Sequence, residues 1–442
     1  MSVAPDKPAP ASAPNSVGAH DTQAAPSEEA RSSPCVHCGF CLPACPTYDL
    51  LGTEMDSPRG RLHLMDALES GRAQPTPTLL GHLDSCLGCR ACESACPSGV
   101  AYGERLETTR ALTVHAPRAE GTTSPWLRRA LLFGASAPAW VVHAGVVVTA
   151  AAQRWLPGLT RGIAKRMGPG AEAGLELLAR RRPRRARLPS HAKPDHTPKR
   201  RVALLLGCLH RPLSASLHEA TQRLLLRAGC EVIVPPRQGC CGALARHLGE
   251  LDNARARVAA LMDDLAAVGR LDHLVVNAAG CGASLREAAA LWPADHPRHA
   301  EALSLGERSV DALELLDELG LPPARRAVPR RVALHHACHL VHAQGVRDAP
   351  ERLLASIPGL QLQALADADR CCGSAGVYNL LQPELATTLR EQKVQACRES
   401  GAELVAAANP GCQLQIEAGL AAAGLGLGST HPLELLDEAH RD

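Results

Sequence analysis

Eight cysteines in the N-terminal part of the chain fall into two copies of one run. Cys35, Cys38, Cys41 and Cys45 repeat as Cys86, Cys89, Cys92 and Cys96, each copy spelling C-x-x-C-x-x-C-x-x-x-C-P with Pro46 and Pro97 closing it. Three thiols at two-residue intervals wrap the chain around a compact inorganic core. The fourth stands one residue further off, before a proline that turns the chain away. Runs of this spacing hold [4Fe–4S] cubanes, and where two runs occur the fourth thiolate of each completes the other run's cluster. The expected sets therefore cross. Cys35, Cys38, Cys41 and Cys96 form one, and Cys86, Cys89, Cys92 and Cys45 the other. Zinc sites draw four ligands as two separated pairs, and disulfides belong to oxidising compartments. Eight cysteines in this order suit neither.

Cysteine usage is heavy throughout, 18 of 442 residues. The first residues show no apolar signal core, and residues 1–33 are mostly Ala, Pro and Ser with Asp6, Asp21, Glu28 and Glu29. Such a segment cannot bury enough surface to fold and reads as a disordered tail. A reducing cytoplasm is the expected compartment, with peripheral contact at the inner face of the membrane as its variant. The net charge of +2 names no partner.

Residues 34–110 read as a helical two-cluster ferredoxin-like module. Between its runs lies Ser57-Pro-Arg-Gly-Arg61, followed by Leu62, Leu64, Met65 and Leu68 at helical spacing. Arg59 and Arg61 are candidates to lend charge or hydrogen bonds to a cluster, the alternative being a solvated helix start. Residues 111–200 read as a helical connector and a basic linker. Ala130 to Ala152 is the most apolar stretch. It is rich in Ala and Gly and is interrupted by Pro138, so it suits a packed or membrane-surface helix better than a span. Residues 180–201 carry ten Arg and Lys residues among four prolines. They read as a solvated linker or a strip for anionic lipid or an acidic partner. Stacking aromatics do not accompany them, so nucleic acid is not an expected partner.

Residues 201–320 and 331–442 are a tandem repeat. Cys208 recurs as Cys338, Cys240-Cys241-Gly242 as Cys371-Cys372-Gly373, and Cys281 as Cys412; subtraction gives offsets of 130, 131 and 131. Leu313-Glu-Leu-Leu-Asp-Glu318 recurs as Leu433-Glu-Leu-Leu-Asp-Glu438. Each copy alternates apolar strands with helices: strands are expected at 202–206, 231–234 and 274–277, then at 332–334, 362–365 and 404–407. This makes each copy an α/β unit with a largely parallel sheet, and the whole an α+β and α/β multidomain chain. The cysteines follow strands, at the carboxyl ends where open α/β sheets place ligands. Cys208, Cys240, Cys241 and Cys281, then Cys338, Cys371, Cys372 and Cys412, are therefore candidate metal or redox sites. A redox-active dithiol and buried structural thiols are the competing readings. His335, His336 and His339 around Cys338 are candidates to ligate metal or move protons.

Two cysteine runs followed by two Cys-Cys-Gly repeats resemble a family that contains the iron–sulfur subunits of glycolate oxidase, anaerobic glycerol-3-phosphate dehydrogenase and lactate-utilisation complexes. Heterodisulfide reductases carry the same parts. The resemblance to glycolate oxidase iron–sulfur subunits rests on three segments: Asp56-Ser-Pro-Arg-Gly-Arg61, the stretch from Cys371 through Tyr378 to Glu384, and Asn409-Pro-Gly-Cys-Gln-Leu-Gln415. It implies an electron-transfer subunit with two [4Fe–4S] clusters and no catalytic residue of its own. It further implies FAD on separate flavoprotein partners that take glycolate to glyoxylate, and a quinone-linked acceptor. A further metal or cluster in the Cys-Cys-Gly units stays a candidate on the cysteine pattern alone. The family's full repeat ends in C-x-x-C, and here Ser284 and Gln415 hold its last position. That departure weighs against a heterodisulfide-type cluster and against the rival reading of a catalytic disulfide or quinone reductase. A cluster-based redox sensor is the remaining alternative. Gly424-Leu-Gly426-Leu-Gly428 follows the last site without the strand–turn–helix context of a dinucleotide loop.

Overall fold

Prolines open five of the helices described ahead of the first sheet. The computed structural model describes residues 34–118 and 139–441, with residues 127, 130, 131, 134 and 137 between them. The 1–33 tail and Pro138 lie outside the described residues. Pro46–Leu51 begins on the proline behind Cys45 and stops at Gly52, whose φ of 67° ends it with a left-handed cap. In Pro58–Glu69 the Ser57 hydroxyl accepts from the Gly60 amide at 3.0 Å, so the Ser-Pro-Arg-Gly-Arg segment is a capped helix start. Pro77–Asp84 and Tyr102–Leu112 complete the module. Leu62, Met65, Leu80, Leu83 and Leu106 meet in its core beside Cys86 and Tyr102.

Beyond residue 138 come the helices Ala139–Trp155, Pro157–Met167 and Pro169–Leu178. Among the described residues no helix is long and apolar enough to cross a membrane. The basic stretch after them forms no helix, as its prolines dictate. It is tied down rather than free. Arg181 pairs with Glu417, Arg184 with Glu219, and the short strand β1, His191–Ala192, adds itself antiparallel to the first sheet.

The first sheet contains β2 (Arg200–Leu205), β3 (Cys230–Ile233), β4 (His273–Val276) and β5 (Ser309–Asp311), in the order β1-β3-β2-β4-β5, with β2 to β5 all parallel. The second contains β6 (Arg331–His335), β7 (Gln361–Gln363), β8 (Leu404–Ala407) and β9 (Gly428–Thr430), all parallel, in the order β7-β6-β8-β9. β3-β2-β4-β5 and β7-β6-β8-β9 are the same topology twice. Each copy has a fourth strand beyond the three expected from sequence. β5 and β9 are three residues long and largely polar, too short to announce themselves by alternation.

One apolar core serves both copies. Leu224 and Leu225 of the helix Ala215–Arg227 pack with Leu433 and Leu436 of Pro432–His440, and Arg223 grips Asp437 through two bonds of 2.8 and 2.6 Å. The two Leu-Glu-Leu-Leu-Asp-Glu segments are helices opened by matching capping boxes, Asp311 with Glu314 and His431 with Glu434.

Candidate metal centres

The backbone bends twice in the left-handed region within each cysteine run, at the same two positions. In the first run these are His37 (φ 55°) and Gly39 (φ 87°), and in the second Gly88 (φ 65°) and Arg90 (φ 66°). Such bends curl a short chain into a concave nest whose amides face inward; the Gly88 amide donates to Cys86 Sγ at 3.4 Å. Each run spends one glycine on the two bends, and a bulkier residue takes the other.

Two cavities result. Cys35, Cys38, Cys41 and Cys96 line one, with Arg59, Leu62 and Val100 around them. Cys45, Cys86, Cys89 and Cys92 line the other, with Thr47 and Arg61. Cys92 and Tyr102 reach both walls. Each cavity thus gathers three thiols of one run and the fourth of the other. Cys45 caps the helix Pro46–Leu51, which carries it away from its own run. The donor set, four soft thiols per cavity with few competing oxygen ligands, fits iron–sulfur cubanes.

Charge around the second cavity is arranged by Arg61, whose side chain is fully buried. Its Nε donates to the His82 carbonyl at 2.7 Å, one terminal nitrogen to Ser85 Oγ at 2.7 Å and the other to Thr47 Oγ1 at 3.0 Å, and the latter lies 3.8 Å from Cys45 Sγ. Burial opposes this charge. The Cys86, Tyr102, Cys45 and Asp56 side chains outweigh it, and the guanidinium holds its proton more tightly than usual. Tyr102 donates to Cys86 Sγ at 3.4 Å. Arg59, by contrast, is only half-buried and holds Glu54 and the His37 carbonyl, the latter at 3.2 Å. Burial pushes the Cys89 and Cys92 thiols well up, so metal binding there displaces protons.

The two Cys-Cys-Gly units place their thiols at the carboxyl ends of the strands. Gly242 (φ 80°) and Gly373 (φ 84°) make the same left-handed turn behind each cysteine pair. In the first unit Cys208 and Cys240 lie 3.4 Å apart through sulfur, Cys241 bonds to Cys240 and Cys281, and His210 bonds to Cys281. In the second, Cys338, Cys371, Cys372 and Cys412 form a hydrogen-bonded chain in which all four are buried. His335 joins this set: its ring, Cys372 and Cys412 offer ligand atoms all within 4.8 Å of one another. Both His335 nitrogens are buried. The repeat offset pairs His335 with Leu205 in the first unit, at the same sheet position. His336 and His339 do not join this cluster; His339 stacks on His247 with ring centroids 5.5 Å apart.

Several residues emerge that sequence spacing does not reveal. Cys89 packs in one buried cluster with Cys338, Cys371 and Tyr378. Tyr378 donates to the Ser85 carbonyl at 2.9 Å, directly before Cys86. Glu107, from the N-terminal module, pairs with Arg246 and lies 3.2 Å from His247 Nδ1, both of the first unit. The N-terminal module is therefore pinned to both units.

The fold and its thiols define a two-cubane iron–sulfur protein carrying a duplicated cysteine-rich α/β unit. A "4Fe-4S dicluster domain" family matches residues 31–100, and a "Cysteine-rich domain" family matches residues 202–286 and 332–417. The chain is 35% identical to the "Glycolate oxidase iron-sulfur subunit" of Escherichia coli and 34% identical to the "Probable glycolate oxidase iron-sulfur subunit" of Bacillus subtilis, each over 92% of this chain and 93% of the relative. "Lactate utilization protein A" of Oceanobacillus iheyensis is 28% identical over 55% of this chain. The chain belongs to the family of glycolate oxidase iron–sulfur subunits, carries [4Fe–4S] clusters and is an electron-transfer subunit of a larger complex.

Proposed function

We propose that this chain is the electron-transfer subunit of a flavin-dependent complex that oxidises glycolate to glyoxylate. It takes electrons from flavoprotein subunits, which carry the FAD, and passes them toward a quinone-linked acceptor. The observation that carries the reading is the packing of Cys89, a thiol of the second cavity, against Cys338 and Cys371. It joins one cubane site to one repeat site through buried side chains. A bound cubane carries one electron at a time, which allows a two-electron flavin to be emptied in single steps. The chain's own residues hold and tune these sites. Cys35, Cys38, Cys41 and Cys96 serve the first, and Cys86, Cys89, Cys92 and Cys45 the second, with Arg61 and Tyr102 directing positive charge and a hydrogen bond at the second. His335, Cys372 and Cys412 are the donors for further metal in the second unit. We place the protein in the cytoplasm, where reduced thiols survive.

The test is the complex reassembled anaerobically from this chain and its flavoprotein subunits. Glycolate reduces the flavin, and the acceptor then reoxidises it only when this chain is present. The flavin-free chain alone gives no glycolate-dependent dye reduction; if it does, the reading is wrong. The ligand crossing has its own check. Cys45→Ser and Cys35→Ser should alter different EPR species, and alteration of the same one would refute it.

A further inference from the structure

The helix Ala139–Trp155 wears its apolar residues on the outside. Trp140, Ala144, Val147, Val148, Ala151 and Trp155 are all exposed, and their spacing puts them on one helical face. Trp140 and Trp155 are 73% and 77% exposed. A surface helix ordinarily turns such a stripe toward the core. Here the inward side takes Ala150, and Gln153, which bonds to the Leu175 carbonyl at 2.9 Å. The adjoining helix Pro157–Met167 extends the stripe through Leu156, Leu159 and Ile163, each about half exposed. Of the large apolar side chains exposed among the described residues, more than half lie between Trp140 and Ile163. A contiguous apolar face of this kind marks an interaction surface.

Its charge identifies the occupant. No aspartate or glutamate occurs between Glu120 and Glu172, while Arg128, Arg129, Arg154, Arg161, Lys165 and Arg166 do. Arg154, Arg161, Lys165 and Arg166 are exposed beside the apolar stripe, and the Arg154 guanidinium sits over the Trp155 ring at 6.0 Å. Exposed tryptophans and aliphatic residues flanked by cations, with anions excluded over some fifty residues, match the interface of an anionic bilayer. There apolar side chains enter the acyl boundary, Trp settles at headgroup depth and Lys/Arg meet lipid phosphates. Neither helix is long enough to span, so the fit is to the surface.

We propose that the helices Ala139–Trp155 and Pro157–Met167 form a docking face for anionic phospholipid and hold the protein at a membrane surface. The inference goes beyond the electron-transfer reading and does not depend on it, because lipid binding is read without turnover. The packing adds a functional corollary. Pro157–Met167 packs on Pro169–Leu178, and Gly170 of that helix lies against the Leu380 carbonyl in the short helix Tyr378–Leu381. That short helix helps line the cavity reaching Cys86. The bilayer face is thus linked by direct packing to the wall beside the second cluster site.

The test uses the full-length, cluster-loaded chain, floated with phosphatidylcholine vesicles or with vesicles also containing phosphatidylglycerol. The chain should float with the phosphatidylglycerol vesicles at least about tenfold better than with phosphatidylcholine alone. Added salt should weaken binding without abolishing it, because the apolar contact survives screening. Tryptophan emission should shift to the blue on binding. Val148→Glu with Leu159→Glu, two exposed sites, should reduce flotation at least about tenfold while leaving cluster absorbance unchanged. Three results would overturn the proposal: no flotation of the natural chain with either vesicle, equal flotation of the double variant, or a double variant that loses only its flavoprotein subunits or its self-association. The last would assign the face to a protein.

Discussion

The two Cys-Cys-Gly units share a topology, a left-handed glycine behind the cysteine pair and four thiols at the strand ends, yet they are placed differently. The thiols of the first are bound up in that unit's own core, with Cys208 and Cys281 only half-buried. Those of the second are all buried, and Cys338 and Cys371 lie against Cys89. The first unit closes the strand before its site with Leu205, the second with His335. The scaffold is the same in both, and two local facts distinguish the sites. One is which unit's thiols meet Cys89. The other is whether the strand end offers an imidazole.

The strongest way to break this comparison is to remove the paired thiols of each unit in turn. In the reassembled complex, Cys371→Ser with Cys372→Ser should leave glycolate-driven flavin reduction intact and slow reoxidation by at least about tenfold, roughly the effect of losing one relay on a single path. Cys240→Ser with Cys241→Ser should slow it far less. Equal effects would mean that the contact between Cys89 and the second unit carries no special traffic. About eight irons should remain in both variants, since the eight cysteines of the two N-terminal runs are untouched.

A second prediction concerns how the module is held to the first unit. Glu107 is held down to about 2: burial alone would raise it, and the Arg246 and His247 charges and hydrogen bonds override that. A carboxylate whose folded pKa is depressed adds stability that is present above its unfolded value of 4.5 and is lost as pH falls from there toward about 2. His339 pulls the same way. Burial foremost, helped by the His247 and Arg90 charges, keeps it neutral down to about 3, so its unfolded form gains protons first as pH falls below 6.5. Glu107→Gln should cost about 3 kcal/mol in denaturant melts near neutral pH, because buried Arg246 loses its close carboxylate and keeps only the Glu287 carboxylate at 3.5 Å. It should also flatten the acid limb below 4.5. A loss under about 0.5 kcal/mol would place the pair among inconsequential surface bridges.

Much of this architecture could be read from the chain. The repeat, the parallel strands ending at cysteines and the crossed grouping of cysteines around the two cavities follow from spacing, because turns and strand ends obey local rules. The partition of the second unit's histidines is less local. His335, His336 and His339 are close in sequence, yet His335 turns to Cys372 and Cys412 while His339 turns to His247. Alternation along β6 and the helical turn after it send them apart. A polar residue where the aligned repeat has Leu205 was the available signal. The meeting of Cys89 with Cys338 and Cys371 left no trace in spacing, since packing between modules sets it.

His335→Leu sharpens the comparison by giving the second unit the residue of the first. Metal beyond the eight cubane irons, counted by elemental analysis of anaerobically purified protein, should fall by at least about half, since the proposed nitrogen donor beside Cys372 and Cys412 is lost. The corresponding Leu205→Ala in the first unit should not change metal content. It should instead cost about 2–4 kcal/mol as a core truncation. Unchanged metal in His335→Leu would reduce the imidazole to a buried side chain without a task.

The smallest expected effect belongs to Tyr378, which ties the second unit to the chain just before Cys86. Its hydroxyl is buried on the Ser85 carbonyl, and burial first, then the nearby Cys86 thiol, raises its pKa, so it stays a neutral donor across the working pH range. Tyr378→Phe keeps the ring packed against Leu87, Cys89 and Cys371 and deletes one hydrogen bond. The cost should be about 1 kcal/mol in stability, the ordinary worth of a buried neutral bond plus an unsatisfied carbonyl. If the bond only fastens the interface, melts shift and reoxidation of the flavin does not. If it also fixes the spacing between the second cluster site and Cys371, reoxidation slows severalfold at unchanged flavin reduction, and the EPR signal of the cluster held by Cys86 moves while that of the Cys35 set stays. The contrast between the two signals decides it, because a general loosening of the module would disturb both.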